Sequence, residues 1–228
     1  MNAMIMGLAF SLNTTTRDSV IHVMGYSKIE KLNGHHLKVL VWNIKKAEDA
    51  RFVTDFKKIS SEYDLILLQE GIFSQEYIDP YLQSKWHEVV VAKSFYLPFS
   101  KRKEFTGLAT FAKAHSIKND YVKTHVTEPI VNTPKMSLIT NYAIKDSDQT
   151  LMVINIHAVN FVSASDFKKE LSRLYDAVKH HNGPIILAGD FNTWSAKRLA
   201  SVTEMINKLE LKEVTIPFKY RETGLRLV

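Results

Sequence analysis

Residues 185–192 read Ile-Ile-Leu-Ala-Gly-Asp-Phe-Asn, a short apolar run that ends in a group of polar residues. An apolar run of this length, directly after Gly183-Pro184, is typical of a strand buried inside a sheet. Polar side chains at the carboxyl ends of buried strands commonly form the ligand sites of α/β proteins. The stretch therefore predicts a buried strand with a polar site at its end.

The same pattern occurs three more times along the chain. The apolar run VLVW precedes Asn43, LILLQ precedes Glu70, and VINI precedes His157. If these strands share sheets, their carboxyl ends bring the polar groups to one edge. Taken singly, each residue also has a structural interpretation, since Asn43 could be a turn former and Asp190 part of an Asx turn. The combination is more specific than its parts.

The remaining periodicities predict alternating strands and helices. Further strands are predicted at residues 88–95, 105–113, 137–144, 151–159 and, at the end, 214–218. Apolar stripes at helical spacing occur at Phe52/Phe56/Ile59/Tyr63, at Phe167/Leu171/Leu174/Val178 after a cap at Ser163 or Ser165, and at Leu199/Val202/Ile206/Leu209. This order predicts an α/β (α+β) fold with sheets inside and helices outside. Residues 1–36 give no readable pattern, so the domain is predicted to begin near residue 37.

Composition narrows the classes of function. The 228 residues suit a single domain, and the absence of cysteine excludes disulfides, thiol nucleophiles and cysteine-type zinc sites. A net charge of +6 favours a polyanionic partner such as nucleic acid or another phosphate ester. No run approaches the 18 apolar residues of a membrane span. The apolar start of the chain lacks preceding basic residues, which slightly favours a cytoplasmic over a secreted location without deciding it.

The polar set favours one kind of chemistry. Glutamate and aspartate with asparagine and histidine form a hard-oxygen site, suited to Mg²⁺ or Mn²⁺ rather than zinc. A carboxylate-bound cation that neutralises phosphoryl oxygens, with a second carboxylate that aligns water, is the arrangement used to hydrolyse phosphate esters.

Four motifs carry a resemblance to a known family. They are Trp42-Asn43-Ile44, Leu68-Gln69-Glu70, Asn155-Ile156-His157 and Gly189-Asp190-Phe191-Asn192. In order and spacing they resemble the signature of the endonuclease/exonuclease/phosphatase superfamily. The resemblance implies a four-layer sandwich, with two packed mixed β-sheets flanked by helices and the site at one edge.

The resemblance also implies roles for individual residues. Glu70 is similar to the metal-binding glutamate of the family, and Asn43 to its neighbour at the metal. Asp190 is similar to the aspartate that positions or deprotonates the attacking water. Asn192 is similar to the asparagine that orients this aspartate and the phosphate. His157 resembles the histidine of the deoxyribonuclease branch that donates to the phosphate or leaving group.

Four further residues are weaker candidates for substrate binding. Lys45 directly follows Asn43 and could attract phosphates, and Lys135 and Arg198 are similar candidates. In the deoxyribonuclease branch the histidine pairs with a glutamate on an earlier strand, and Glu104 is the candidate here. An exposed loop charge is the alternative interpretation of Glu104.

The end of the chain departs from the family pattern. Family members normally finish with a strand pair that carries a Ser-Asp-His-like motif, whereas no aspartate or histidine follows Asn192 here. The domain at residues 37–228 is therefore expected to be incomplete at its C-terminus, and full activity is in doubt.

Three functions follow as hypotheses. The first is a Mg²⁺-dependent nuclease that hydrolyses nucleic-acid phosphodiester bonds by in-line attack of water. The second keeps the chemistry with a different substrate, an inositol phosphate or sphingomyelin. The third is a catalytically impaired remnant or binding module. The sequence leaves the oligomeric state open.

Overall fold

The computed structural model describes residues 20–73, 87–97, 104–129 and 132–215. The strands are β1 Ile21–Met24, β2 Lys31–Leu32, β3 Val39–Asn43, β4 Leu65–Phe73, β5 Glu88–Tyr96, β6 Phe105–Ala112, β7 Lys118–Thr127, β8 Pro134–Ile144, β9 Thr150–His157 and β10 Ile185–Asp190. The α-helices are α1 Phe52–Ile59, α2 Ala164–Val178 and α3 Ala196–Lys208, with short 3₁₀ turns at Lys45–Ala47 and Ser60–Glu62.

The strands form two mixed sheets of five strands each. The first sheet has the order β1-β5-β6-β4-β3, in which β3 and β4 are parallel and the other pairs are antiparallel. The second has the order β10-β9-β8-β2, with β7 also paired to β8. Strands β10 and β9 run parallel, and β9 is antiparallel to β8. The short strand β2 is also parallel to β8. The polar residues of the sequence motifs lie towards the carboxyl ends of two parallel pairs, β3/β4 in the first sheet and β9/β10 in the second.

The two sheets pack face to face and helices cover their outer faces, so the fold has four layers. In β4, Leu65 and Leu67 point into the layer between the sheets, where they meet apolar residues of β8, β9 and β10. The alternate residues Ile66 and Leu68 pack on the outer side against α1. Helices α2 and α3 pack on the outer face of the second sheet. This architecture confirms the four-layer sandwich expected from the sequence.

The helices begin and bury their faces largely as predicted. Ser163, rather than Ser165, caps α2, because its side chain accepts a hydrogen bond from the backbone N–H of Asp166. The apolar stripe predicted for α3 is wrong at one position. Leu199 is exposed, and the neighbouring Arg198 is buried in its place.

One strand of the second sheet was missed from the sequence, and one predicted strand lies largely outside the described residues. Strand β7 was not predicted, because its sequence KNDYVKTHVT is rich in charged and polar residues and it is only half-buried. The strand predicted at residues 214–218 lies mostly outside the described residues, and Val214 and Thr215 are irregular. Strands β1 and β2 lie in the segment 1–36 that gave no readable pattern.

A buried histidine makes the stability of this fold depend on pH. His87 is 2% exposed, and burial lowers its pKa below the ordinary value despite a 2.9 Å hydrogen bond between Nε2 and the carbonyl of Tyr63. Above about pH 6.5 His87 is neutral in both the folded and the unfolded protein, so its titration does not change the free energy of unfolding. Below it the unfolded chain binds the proton more readily, so the free energy of unfolding falls as the pH falls.

We therefore expect His87→Gln to flatten the pH dependence of stability between about pH 6.5 and 5. The slope removed is at most about 1.4 kcal/mol per pH unit for one group. Urea unfolding at a series of pH values measures it, and His180→Gln, which changes an exposed histidine, should keep the wild-type slope. Equal slopes for wild type and His87→Gln would contradict the assignment.

Candidate active site

Three of the predicted site residues occupy equivalent places in their strands. In β3, Val39 and Val41 face the layer between the sheets, and Asn43 follows them on the same face. By the same alternation, His157 ends the inner face of β9 and Asp190 ends the inner face of β10. Each of these polar side chains thus lies at the edge of the apolar layer between the sheets. Their common position explains why they meet.

Glu70 reaches the same place by a different route. In a regular strand it would share the outer face with Ile66 and Leu68, under α1. The register of β4 against β6 shifts between Leu68 and Gly71, so β4 contains a β-bulge there, and Glu70 has a φ of 53°. A bulge re-aims a side chain. The left-handed backbone at Glu70 directs its carboxylate to the site.

Hydrogen bonds join the two carboxylates through one amide. Asn43 Nδ2 donates to Glu70 Oε1 at 3.3 Å and to Asp190 Oδ2 at 2.8 Å. Asn43 Oδ1 accepts from the backbone N–H of Lys45 at 3.0 Å. The amide oxygen is therefore engaged by the backbone, and the amide nitrogen of Asn43 donates to carboxylates of the two sheets.

His157 lies beside both carboxylates and is buried. Its Nε2 is 3.8 Å from Glu70 Oε1 and 3.9 Å from Asp190 Oδ2. Burial, together with the charge of Lys135, lowers the pKa of His157 to about 4 against the opposing effect of the two carboxylates. The imidazole is thus neutral at neutral pH. It can exchange hydrogen bonds there but carries no charge.

Two lysines supply positive charge to the site. Lys46 Nζ lies 3.3 Å from Glu70 Oε2, and Lys135 Nζ lies 3.3 Å from Glu128 Oε2. Both lysines line a small open pocket together with Glu70 and His157. The predicted candidate Lys135 is therefore at the site. Lys45, in contrast, is exposed, and its neighbour Lys46 makes the contact.

The turn that presents Lys46 has an unusual backbone. Lys45, Lys46 and Ala47 have φ values of 47°, 57° and 55°, so three consecutive residues other than glycine are left-handed. Each such residue costs roughly 1–2 kcal/mol. The bonds from Ala47 N to Ile44 O and from Lys45 N to Asn43 Oδ1 hold this turn against that cost.

The charges around Glu70 keep it ionised. Burial raises the pKa of Glu70, but the charges of protonated His157, of Lys135 and of Lys46, with the hydrogen bond from Asn43, outweigh it, so the pKa lies below its usual value. Because His157 is neutral at neutral pH, Lys135 and Lys46 are the cations that matter there. The ionised carboxylate is the form of this side chain that can bind a metal cation.

The donor set fits a hard divalent ion. Within the described ranges, no three His, Asp or Glu side chains are arranged closely enough to enclose a metal. Mg²⁺ does not need such a cage, since it keeps several waters and binds through one or two carboxylates. Glu70 and Asp190 provide two, and the ammonium of Lys46 contacts Glu70 Oε2 in this structure.

Buried amides fix the spacing between the two halves of the site. Gln69 Nε2 donates to Asn155 Oδ1 at 2.7 Å, across the layer between the sheets. Asn155 Nδ2 donates to the carbonyls of Leu68 and Ala109 at 3.1 and 3.0 Å. Gln69 precedes Glu70, and Asn155 lies two residues before His157. The amide pair therefore sets β9 against β4 where their functional residues stand.

Asn192 and Arg198 make their hydrogen bonds with Asp190 and with the carbonyls of the loops. The backbone N–H of Asn192 donates to Asp190 Oδ1 at 3.1 Å, and its Nδ2 donates to the carbonyl of Ala158 at 2.8 Å. Arg198, 1% exposed, donates from its guanidinium to the carbonyls of Val159, Val162 and Asn192. Burial excludes the substrate contact predicted for Arg198. The side chain instead ties together the loops that follow β9 and β10.

The structure does not bring Glu104 to His157. Among the described residues, the carboxylates within 4 Å of His157 Nε2 are those of Glu70 and Asp190. Glu104 precedes β6, where its carbonyl accepts from the backbone N–H of Leu97. Sequence reasoning missed the functions of Gln69 and Asn155. The signal was available, because each is a polar residue at an inward position of a strand covered on both faces, where a polar group needs a partner.

The fold and the site together define a class of protein. Two face-to-face mixed sheets lie between helices and carry two carboxylates, an amide and a histidine at one edge. A family model described as the endonuclease/exonuclease/phosphatase family matches residues 40–224. The chain belongs to this family, whose members are phosphoesterases that generally use divalent metal ions.

Curated relatives share the sequence over most of this chain. It is 35% identical over 179 residues to a UPF0294 protein of Klebsiella pneumoniae, covering 78% of this chain and 64% of that protein. It is 34% identical over 188 residues to a UPF0294 protein of Photorhabdus laumondii, covering 82% and 69%. The chain thus spans about two thirds of the length of these relatives.

Solved structures share the fold at low sequence identity. A family protein from Leptotrichia buccalis superposes with a TM-score of 0.57 and 16% identity, covering 76% of this chain and 74% of that one. The catalytic domain of human Nocturnin, solved with a bound sulfate anion, gives a TM-score of 0.51 at 17% identity, covering 79% and 70%. These similarities establish the architecture. None of the described helices is long and apolar enough to cross a membrane.

We expect the substitution Asn155→Leu to destabilise the protein by about 2–5 kcal/mol, because it removes the buried hydrogen bonds that Asn155 donates to the carbonyls of Leu68 and Ala109 and the one that it accepts from Gln69. The free energy of unfolding in urea measures this. Asn207→Leu, an exposed position on α3, should change it by less than about 0.5 kcal/mol. An Asn155→Leu protein as stable as the wild type would refute the role given to the amide pair.

Proposed function

We propose that this protein is a divalent-metal-dependent phosphodiesterase that acts on nucleic acid. The observation that carries the proposal is the junction of Glu70 and Asp190 through Asn43, with His157 Nε2 within 4 Å of both carboxylates. One carboxylate comes from each sheet, so the fold itself sets their separation. Hydrolysis of a phosphate ester needs a cation on the phosphoryl oxygens and an aligned water.

Glu70 and Asp190 divide the work between them in this proposal. Glu70, held ionised by Lys46 and Lys135, would hold Mg²⁺ or Mn²⁺. The bound cation would supply Lewis-acid stabilisation of the phosphoryl oxygens. Asp190 has one oxygen fixed by the backbone N–H of Asn192 and the other by Asn43, so its orientation is set before substrate arrives. A carboxylate so oriented can accept a hydrogen bond from the attacking water and take its proton.

His157 and the two lysines face the phosphate side of the pocket. A neutral imidazole can donate one N–H to a phosphoryl or leaving oxygen without charging first. Lys135 and Lys46 line the same pocket and provide positive charge where negative charge develops. Glu128 holds Lys135 at 3.3 Å and also accepts from the backbone N–H of Asn160, which fixes the ammonium relative to the loop after β9.

Nucleic acid is the substrate that the charge supports best. The net charge is +6, and the pocket at the carboxylates is flanked by lysines. A polyanion gains affinity from cations by releasing its counterions. A small phosphomonoester or a phospholipid headgroup remains the alternative, and a substrate panel separates the three.

Glu70→Gln should abolish metal-dependent hydrolysis while leaving the protein folded. Removing a group that stabilises developing charge typically lowers the rate by about 10²–10³-fold. The assay is turnover of plasmid DNA, single-stranded DNA, RNA, inositol phosphate and sphingomyelin with Mg²⁺, Mn²⁺ or EDTA, with thermal unfolding as the folding check. Glu62→Gln, an exposed carboxylate, is the matched control. Undiminished turnover in EDTA, or in Glu70→Gln, would refute the site.

Asp190→Asn should lower kcat far more than it raises KM. The carboxylate is required only as the water loses its proton, so the loss falls on the transition state, by about 10²–10⁴-fold. Asparagine keeps an oxygen that can accept from Asn43, so binding should be largely preserved. Steady-state kinetics on the best substrate of the panel separates the two constants. A change confined to KM would mean that Asp190 only helps to bind substrate.

A further inference from the structure

Two large aromatic side chains are exposed on the loops that leave the site. Trp194 is 63% exposed and Phe161 is 71% exposed. Trp194 follows Asp190 by four residues, and Phe161 follows His157 by four. Neither takes part in the hydrolytic chemistry described above. Large apolar side chains on the surface usually need an explanation when they cluster at a functional site.

The indole of Trp194 is held in a fixed orientation. Its Nε1–H donates to Asn160 Oδ1 at 2.7 Å. The guanidinium of Arg198 lies over the ring, 4.8 Å from its centroid, and also over the ring of Phe167 at 4.3 Å. One face of the indole is therefore covered by a buried cation, and the exposed area belongs to the rest of the ring. The indole therefore presents a flat apolar surface to solvent and is held in that orientation by its contacts.

Asn160 links the two aromatic residues. Its Oδ1 accepts from the backbone N–H of Phe161 at 2.9 Å as well as from Trp194. Its own backbone N–H donates to Glu128, the partner of Lys135. The aromatic pair, Trp194 and Phe161, is in this way connected by hydrogen bonds to one of the lysines that flank the pocket.

The length of the connecting chain limits how far this surface can lie from the site. Trp194 follows Asp190 by four residues, a span of at most about 14 Å between Cα atoms. A substrate whose phosphate sits at Glu70 and Asp190 would extend a neighbouring group over the indole. In a nucleic acid that neighbouring group is a base.

We propose that Trp194, with Phe161 beside it, is a stacking platform for an unpaired nucleobase next to the reacting phosphate, so that the preferred substrate is single-stranded nucleic acid. This inference rests on the proposed function. Bases stack on aromatic rings whatever their identity, so the platform would add affinity without sequence preference. A base paired in a duplex has both faces already stacked, so only an unpaired base can use the ring.

The contacts favour a base over a lipid surface. A side chain that inserts into a membrane interface projects freely and leaves its indole N–H for the headgroups. Here the indole N–H has its hydrogen-bond partner within the protein, and the ring lies against a guanidinium. These contacts fix the plane of the ring, so the side chain does not project freely. The neighbouring exposed charge is Lys197, which also suits a phosphate backbone.

The test is binding of a short fluorescein-labelled oligothymidylate, followed by anisotropy in EDTA so that no hydrolysis occurs. The comparison probe is a base-free sugar-phosphate oligomer of equal length. Trp194→Leu should weaken oligothymidylate binding by about 5- to 150-fold and leave the base-free probe unchanged. Trp194→Phe should bind nearly as well as the wild type, which also shows that the loop still folds.

Tyr26→Leu is the matched control. Tyr26 is 72% exposed and follows β1 at the end of the first sheet opposite to the site, since Met24 pairs with Val89 at the start of β5. This substitution should change neither probe's affinity. Equal oligothymidylate affinity for Trp194→Leu and the wild type would overturn the platform. Equal losses on both probes would overturn it too, because the ring would then act on the backbone.

The remaining outcomes separate the platform from the proposed function. Loss of binding to phosphatidylcholine vesicles in Trp194→Leu, with oligothymidylate unaffected, would replace the base by a lipid surface. Hydrolysis of a small phosphodiester by a protein that binds no oligothymidylate would overturn the platform and keep the phosphodiesterase. Base-dependent binding through Trp194 without hydrolysis of any substrate in the panel would keep the platform and overturn the phosphodiesterase.

Discussion

The contact between Gln69 and Asn155 sets the geometry on which the site depends. Two sheets packed through apolar side chains alone could slide past one another, because apolar contacts have no direction. A buried amide pair does not allow this, since displacement by even 1 Å leaves donors and carbonyls unpaired in a region without water. The pair lies at the end of the apolar layer, directly beneath the carboxylates. Its register is therefore transmitted to Glu70 on one sheet and His157 on the other.

The sequence predicts the part of the site that follows from strand periodicity. Asn43, His157 and Asp190 each continue the inward face of an apolar strand, so their convergence follows once the strands share sheets. Periodicity would have put Glu70 on the outer face, and only the bulge, which depends on pairing with β6, redirects it. Leu199 and Arg198 show the same limit. Hydropathy favours burial of the leucine, but hydrogen bonds to carbonyls of the loops after β9 and β10 hold the arginine in the buried position.

Burial gives the groups of the site different charges at one pH. His157 loses its charge because the layer between the sheets desolvates it, and Lys135 adds to the effect. Glu70 keeps its charge because it stands at the rim of that layer, in contact with Asn43 and Lys46. A neutral hydrogen-bond donor and an ionised carboxylate thus lie within 4 Å of one another. The same depth gradient separates Lys46, which is partly solvated, from Lys135, which is 13% exposed and needs Glu128 beside it.

The left-handed turn at Lys45–Ala47 sets stability against activity in a way that bears on engineering. Glycine adopts this backbone without the strain that three larger residues carry, so substitutions chosen for thermostability would favour glycine there. Glycine at position 46 would also delete the ammonium beside Glu70. Glycine at position 45 or 47 would keep the ammonium of Lys46. It would, however, allow the backbone of the turn to adopt other conformations in the absence of substrate. A more heat-resistant variant selected at this turn would then have lost the preorganisation of its own cation, which is a trade-off between melting temperature and turnover.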